Sequence, residues 1–176
     1  RIILTEANYN LYPFERKFLK EITHSLKDIS VWFNEGKGWY YFNKAQHTSK
    51  YSIMYLKPDD VLQVTVEGKS GAWVKVVHDI NCNLSEAKYL IIGASGTPNS
   101  QLSIFISPLN GKGNILWKEV TSLQLKEYFN QFVVDIGKEK IGKINRILIS
   151  FTSVNGLEAV GYIDYVAFSP SAPIPR

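Results

Sequence analysis

The sequence predicts an all-β chain folded as one antiparallel β-sandwich, with a short N-terminal helix as the single departure. Three observations carry this. Strand-like runs recur at 61–66, 72–78, 89–95, 101–107, 114–120, 128–135, 144–152 and 160–168. Segments rich in Gly, Asn and Ser stand between them, at 67–71, 81–86, 96–100, 110–113, 137–142 and 155–156. No long helical periodicity intervenes, and eight short strands at such spacing pack as a two-layer or barrel structure.

At the N-terminus, residues 1–4 suit a short strand. Phe14, Phe18, Ile22 and Leu26 then recur at steps of four, which suits a short amphipathic helix over 13–26, with an irregular extended segment as the alternative. Residues 28–42 read as an aromatic strand broken by Asn34-Glu35-Gly36-Lys37-Gly38 and resumed at Trp39, the loop carrying the residues that turns demand. A short strand at 51–56 is closed by Lys57-Pro58-Asp59-Asp60. Residues 123–127 suit one helical turn.

Alternation sorts the later runs into faces. In 101–107, Leu102, Ile104 and Ile106 oppose Gln101, Ser103, Phe105 and Ser107, the pattern of a half-buried strand. Runs 88–92 and 144–151 are apolar on both faces, as expected at the centre of a two-layer structure under an extra covering loop. The last run, VGYIDYVAF at 160–168, is also apolar on both faces except for Asp164, and Pro170, Pro173 and Pro175 follow it. Proline cannot continue a sheet ladder, so the tail reads as a linker. The expected organisation is an N-terminal extension at 1–27, a sandwich at 28–169 and a linker start at 170–176. The missing initial Met and the Pro-rich end suggest one module of a longer chain.

With 176 residues the chain can bury an ordinary core without metal or disulfide. Cys82 is the single cysteine, which excludes an intrachain disulfide. The 20 Lys+Arg against 16 Asp+Glu are dispersed rather than clustered, which argues against a nucleic-acid partner. No run approaches the ~20 apolar residues that span a bilayer, and no membrane partner is expected. Enzyme signatures are missing. His24, His47 and His78 fit no metal spacing, and neither H-E-x-x-H nor G-x-S-x-G occurs. The carboxylate pairs Asp59-Asp60 and Asp79/Glu86 are expected in turns, unlike the paired carboxylates of a glycosidase cleft. Residues 128–131 are similar to a tyrosine-containing strand of jelly-roll polysaccharide lyases, without the Gln–His and Arg-rich strands that accompany it.

Aromatic residues are abundant, with 10 Tyr, 9 Phe and 4 Trp. A pyranose ring offers an apolar C–H face and a polar rim, so it is bound by a flat aromatic surface flanked by amide, carboxylate or guanidinium groups. Trp32, Trp39, Tyr40, Trp73 and Trp117 are candidates for that surface, against the alternative that each is core. Trp73 shares a strand face with Lys75 while Ala72, Val74 and Val76 take the other, Trp117 shares parity with Glu119, and Trp39 borders the Gly-rich loop. Lys75, Gln101, Arg146, Asn114 and Gln131 can supply hydrogen bonds.

The order of DVLQVTV at 60–66, AWVKV at 72–76, NLSEAKYL at 83–90, FVVD at 132–135, KINRILIS at 143–150 and YIDYV at 162–166 resembles the jelly-roll, galactose-binding-like carbohydrate-binding modules of secreted polysaccharide-degrading enzymes. The resemblance runs from about residue 28 to 170. It implies a non-catalytic, secreted or cell-surface module that binds a polysaccharide through aromatic side chains and is covalently linked to a glycoside hydrolase. Trp39, Trp73, Lys75, Gln101, Trp117 and Arg146 are its expected ligand-binding residues. It also implies a structural calcium ion on Asp164, paired with Asp28 or Glu35, against which stands a carboxylate held by backbone N–H groups or by a Lys or Arg. The other readings are a structural or adhesive sandwich domain that binds no glycan, and a jelly-roll hydrolase or lyase.

Overall fold

A computed structural model describes residues 31–32, 39–56, 61–108 and 117–170. Among these are nine strands: β1 (Val31–Trp32), β2 (Trp39–Leu56), β3 (Val61–Asn83), β4 (Tyr89–Gly96), β5 (Ser100–Pro108), β6 (Lys118–Gln124), β7 (Asn130–Asp135), β8 (Lys143–Ser153) and β9 (Ala159–Ser169). Every pairing is antiparallel.

The long hairpin of β2 and β3 organises the rest. The first part of β3 pairs Leu62–Val66 with Ile163–Ala159 of β9, and its second part pairs Ala72–Asn83 with Ser153–Lys143 of β8. One strand thus serves both layers, giving β6-β5-β8-β3 on one side and β3-β9-β4-β7 on the other. The segment 67–71, expected as a break, is a bend inside β3. Gly71 takes φ +82°, a conformation that glycine adopts without a Cβ penalty, and Gly68 N–H donates to Gly156 O at 2.9 Å. The chain bends there with β2 still on one side while its partner on the other changes from β9 to β8, so two expected strands are one. The strand expected at 51–56 is likewise the end of β2.

One core fills the space between the layers. Leu62, Val64, Leu90, Ile92, Ile163, Val166 and Phe168 face Val74, Val76, Leu102, Ile104, Ile149 and Phe151 in a single buried cluster. The layers touch closely where Phe151 of β8 meets Gly161 of β9: a Cβ on Gly161 would lie 2.4 Å from the Phe151 ring. The inward positions deduced for 101–107 are the ones observed.

β9 is buried at all of its positions: β4 flanks one edge and β3 and β1 the other, Ile163, Val166 and Phe168 enter the main core, and Tyr165 and Ala167 pack in a second cluster with Ile91, Tyr89 and Phe129. Its register against β4 passes from Gly93↔Tyr165 to Ala94↔Ile163. Asp164 is the extra residue of this β-bulge, with 0% of its surface exposed. One residue on, the Tyr165 ring lies across Gly93, where a Cβ would come within 2.4 Å of it, and its hydroxyl accepts from Gln131 Nε2 at 2.9 Å.

Other expectations shift. Of the strand expected at 114–120, the described part is β6 from Lys118, and within 123–127, read as a helical turn, residues 123–124 are strand because Leu123 pairs with Leu102 and packs on the core. Asp79, expected in a turn, lies within β3 opposite Arg146. The expected strand at 1–4 and helix over 13–26 fall outside the described residues.

Candidate functional site

Directly opposed residues of neighbouring strands share a face, so the register defines the outward surface of the β6-β5-β8-β3 layer row by row. The first row is Gln124, Gln101, Thr152 and Trp73, and the second is Ser122, Ser103, Ser150 and Lys75. The third is Glu119, Phe105, Leu148 and Val77, and the fourth holds Ser107, Arg146 and Asp79. Strands lie about 4.8 Å apart, so Trp73 and Gln124 stand roughly 14 Å from each other across the sheet.

Trp73 and Lys75 are successive outward residues of β3. The Lys75 Nζ sits 4.1 Å from the centroid of the Trp73 ring and 5.9 Å from that of Phe105. The ammonium over the indole is a cation–π contact of about 0.5–1 kcal/mol at a partly exposed site. Beside them Gln101 Nε2 donates to Ser122 Oγ at 2.6 Å, and the Ser103 and Ser122 hydroxyls are 3.0 Å apart. The two rows therefore combine one aromatic plane, one cation, two amides and a line of hydroxyls. These are the groups a sugar ring and its rim require.

Arg146 belongs to the same face but to its far end, six residues along β8 from Thr152, or roughly 20 Å. Its Nε donates to Asp79 Oδ1 at 3.0 Å across the β8–β3 pair, a partly exposed ion pair of modest strength. Trp117 immediately precedes β6, whose Lys118 pairs with Ile106, and so borders the Ser107–Arg146 end. Trp73 and Trp117 are both half-buried and neither belongs to the core. Trp39 opens β2 in register with His78. Of the expected residues, then, the fold brings Trp73, Lys75 and Gln101 together and sets Arg146 and Trp117 apart from them. Gln131 lies in the opposite layer with Tyr165; Asn114 and Asp28 fall outside the described residues.

Beside the first row lies a shallow cleft of about 500 Å³ lined by Pro98, Asn99, Gln101, Gln124, Val154 and Asn155. Its wall is the crossing from β8 to β9. Asn155 Oδ1 accepts from Leu157 N–H at 3.0 Å and from Asn99 Nδ2 at 2.9 Å, an Asx turn clamped from the neighbouring loop. Gly156 at φ +82° completes it.

Sequence reasoning missed Ser122, Ser150, Thr152, Gln124, Asn99 and Asn155. The alternation within 101–107 identified one strand of the face, but nothing local names the strands beside it. For a metal, the described residues contain no group of three His, Cys, Asp or Glu side chains that could hold one. The partners expected for Asp164, Asp28 and Glu35, fall outside the described residues, and Asp164 itself is buried in β9.

No family model and no curated protein sequence matches the chain. Solved structures do. The family 11 carbohydrate-binding module from Clostridium thermocellum, in complex with a β-1,3-1,4-mixed-linked tetrasaccharide, superposes with TM-score 0.57 at 10% identity, over 85% of this chain and 99% of that one. A family 29 module complexed with mannohexaose gives 0.53 at 12% identity, over 83% and 94%. The BiXyn10A module CBM1 in its apo form gives 0.55 at 12%, over 83% and 100%. The chain has the β-sandwich fold of these modules, as the resemblance in its sequence implied.

Proposed function

We propose that the protein is a non-catalytic carbohydrate-binding module that holds a polysaccharide on the outward face of the β6-β5-β8-β3 layer. The observation that carries the reading is the convergence of Trp73, Lys75 and Gln101 beside a row of serine hydroxyls, in a fold shared with modules solved in complex with a β-1,3-1,4-mixed-linked tetrasaccharide and with mannohexaose. Trp73 supplies the stacking plane. Lys75 and Gln101 bond ring hydroxyls, the serines extend the polar rim, and Trp117 and Arg146 mark the far edge of the face. Stacking plus a few solvent-exposed hydrogen bonds gives modest affinity, suited to a module that concentrates a covalently attached glycoside hydrolase on its substrate outside the cell.

Affinity electrophoresis against β-glucan, mannan, xylan and galactan tests this. Retardation by at least one is expected; free migration of the folded protein on all four overturns the reading. Acrylamide quenching separates it from a spacer domain, because the half-buried Trp73 should quench and respond to the retarding glycan. A structural calcium ion on Asp164 and Asp28 is a separate proposal: a melting temperature lowered by EDTA supports it, and an unchanged one overturns it.

A further inference from the structure

The amide cleft beside the first row is not needed for stacking on Trp73, yet its polar atoms are poised for a ligand. Asn99 Nδ2 donates to Asn155 Oδ1 and to the carbonyls of Leu157 and Glu158, Gln101 Nε2 to Ser122, and Gln124 Nε2 to Pro98 O. This leaves Gln101 Oε1, Gln124 Oε1, Asn99 Oδ1 and Asn155 Nδ2 without a hydrogen bond among the described residues. Three acceptors and one donor thus line a cleft of about 500 Å³, beside Val154, which is 53% exposed. Sugar hydroxyls both donate and accept, and Val154 and Pro98 offer apolar surface to C–H groups.

We infer that this cleft is a second glycan subsite continuous with Trp73, so that the saccharide chain lies across the strands along the Trp73–Thr152–Gln101–Gln124 row and is gripped at its β6 end by Gln124 and Asn155. The inference rests on the carbohydrate-binding reading above. Gln101 joins the two parts, being both a row member and a cleft wall. The span of roughly 14 Å exceeds one pyranose ring, so the ligand class is an oligosaccharide or an internal stretch of polysaccharide rather than a monosaccharide.

The competing path runs along the strands, from Trp73 toward Arg146. It is interrupted by the third row, where Val77 and Leu148 are buried, and it ends on an Arg146 guanidinium already engaged by Asp79. The transverse path meets the half-buried amide of Gln101 and the exposed amides of Gln124 and Asn155.

Affinity electrophoresis of the full chain on the same four polysaccharides, β-glucan, mannan, xylan and galactan, tests the direction. Gln124→Ala removes an exposed amide. Asn155→Asp keeps the Oδ1 acceptor that closes the turn and exchanges the free donor for a negatively charged acceptor. Each should weaken binding to the retarding polysaccharide about fivefold, the effect of one lost hydrogen bond, with an unchanged melting temperature. If Asn155→Asp lowers the melting temperature, Gln124→Ala decides alone. Should Trp73→Ala abolish retardation while Gln124→Ala binds like the parent, or should Arg146→Ala weaken binding where Gln124→Ala does not, the cleft is no subsite, although the carbohydrate-binding reading stands. Free migration of the parent protein on all four overturns both.

Discussion

Replacing Gly161 by alanine probes the contact between the two layers from directly beneath the proposed binding face. The added Cβ would sit 2.4 Å from Phe151 Cε1, 2.9 Å from Cζ and 3.1 Å from Cδ1, whereas carbon atoms pack at about 3.5–4.0 Å. The Phe151 ring must therefore retreat by more than ~1 Å. It has no free space to enter, being 1% exposed and paired laterally with Leu102 and Val74. Overpacking of this kind costs about 1–3 kcal/mol, and we expect a loss near 2 kcal/mol in urea unfolding, seen as a lower midpoint with an unchanged slope. Because Thr152 follows Phe151 and stands between Trp73 and Gln101 on the outward side, the same displacement should weaken glycan binding. Phe151→Leu alone should cost about 1 kcal/mol through the space it leaves. Combined with Gly161→Ala it should leave a total loss of about 2 kcal/mol instead of the additive ~3, a favourable coupling of about 1 kcal/mol in a double-mutant cycle. A Gly161→Ala variant within about 0.5 kcal/mol of the parent, or strictly additive variants, would refute the packing of β8 on β9 described above.

Trp73→Ala should weaken polysaccharide binding by at least about tenfold, or ~1.4 kcal/mol, in titration calorimetry, with little change in stability because the ring lies outside the core. Gly156→Ala places a side chain at φ +82° and a Cβ 2.6 Å from the Lys69 carbonyl carbon. It should destabilise the protein by about 2 kcal/mol or more in denaturant unfolding and loosen the cleft wall. Tyr165→Phe removes the acceptor of the Gln131 amide and should cost about 1 kcal/mol in thermal unfolding. Since Tyr165 belongs to the opposite layer, affinity electrophoresis of that variant should match the parent.

Much of the architecture is legible in the chain. Alternation in 101–107 separated the core residues Leu102, Ile104 and Ile106 from Gln101 and Ser103, and the same parity put Trp73 and Lys75 on an outward face while Val74 and Val76 went inward. These assignments hold because a side chain's direction in a strand depends only on odd or even position. The two-sided apolar run 160–168 is a strand buried along its whole length for an equally simple reason: apolar residues on both faces have no stable place in water. The bend at 67–71 was not legible, since Glu67-Gly68-Lys69-Ser70-Gly71 reads as a terminating turn until its cross-strand partners in β2 and the crossing after β8 are known.

The sequence by itself determined that this is an all-β, aromatic-rich sandwich, and which residues of 72–76 and 101–107 face outward, because those properties are set by neighbours one or two positions away. Only the tertiary structure decided which outward residues meet. Gln101 and Trp73 are 28 positions apart, Thr152 a further 51 beyond Gln101, and they form one row through registers that arise from core packing between strands distant in the chain. The same registers carried Arg146, equally suited in chemistry, to the far end of the face. The proposed binding face, assembled from β3, β5, β6 and β8, has no local signature, since it arises from cross-strand pairing that no single segment encodes.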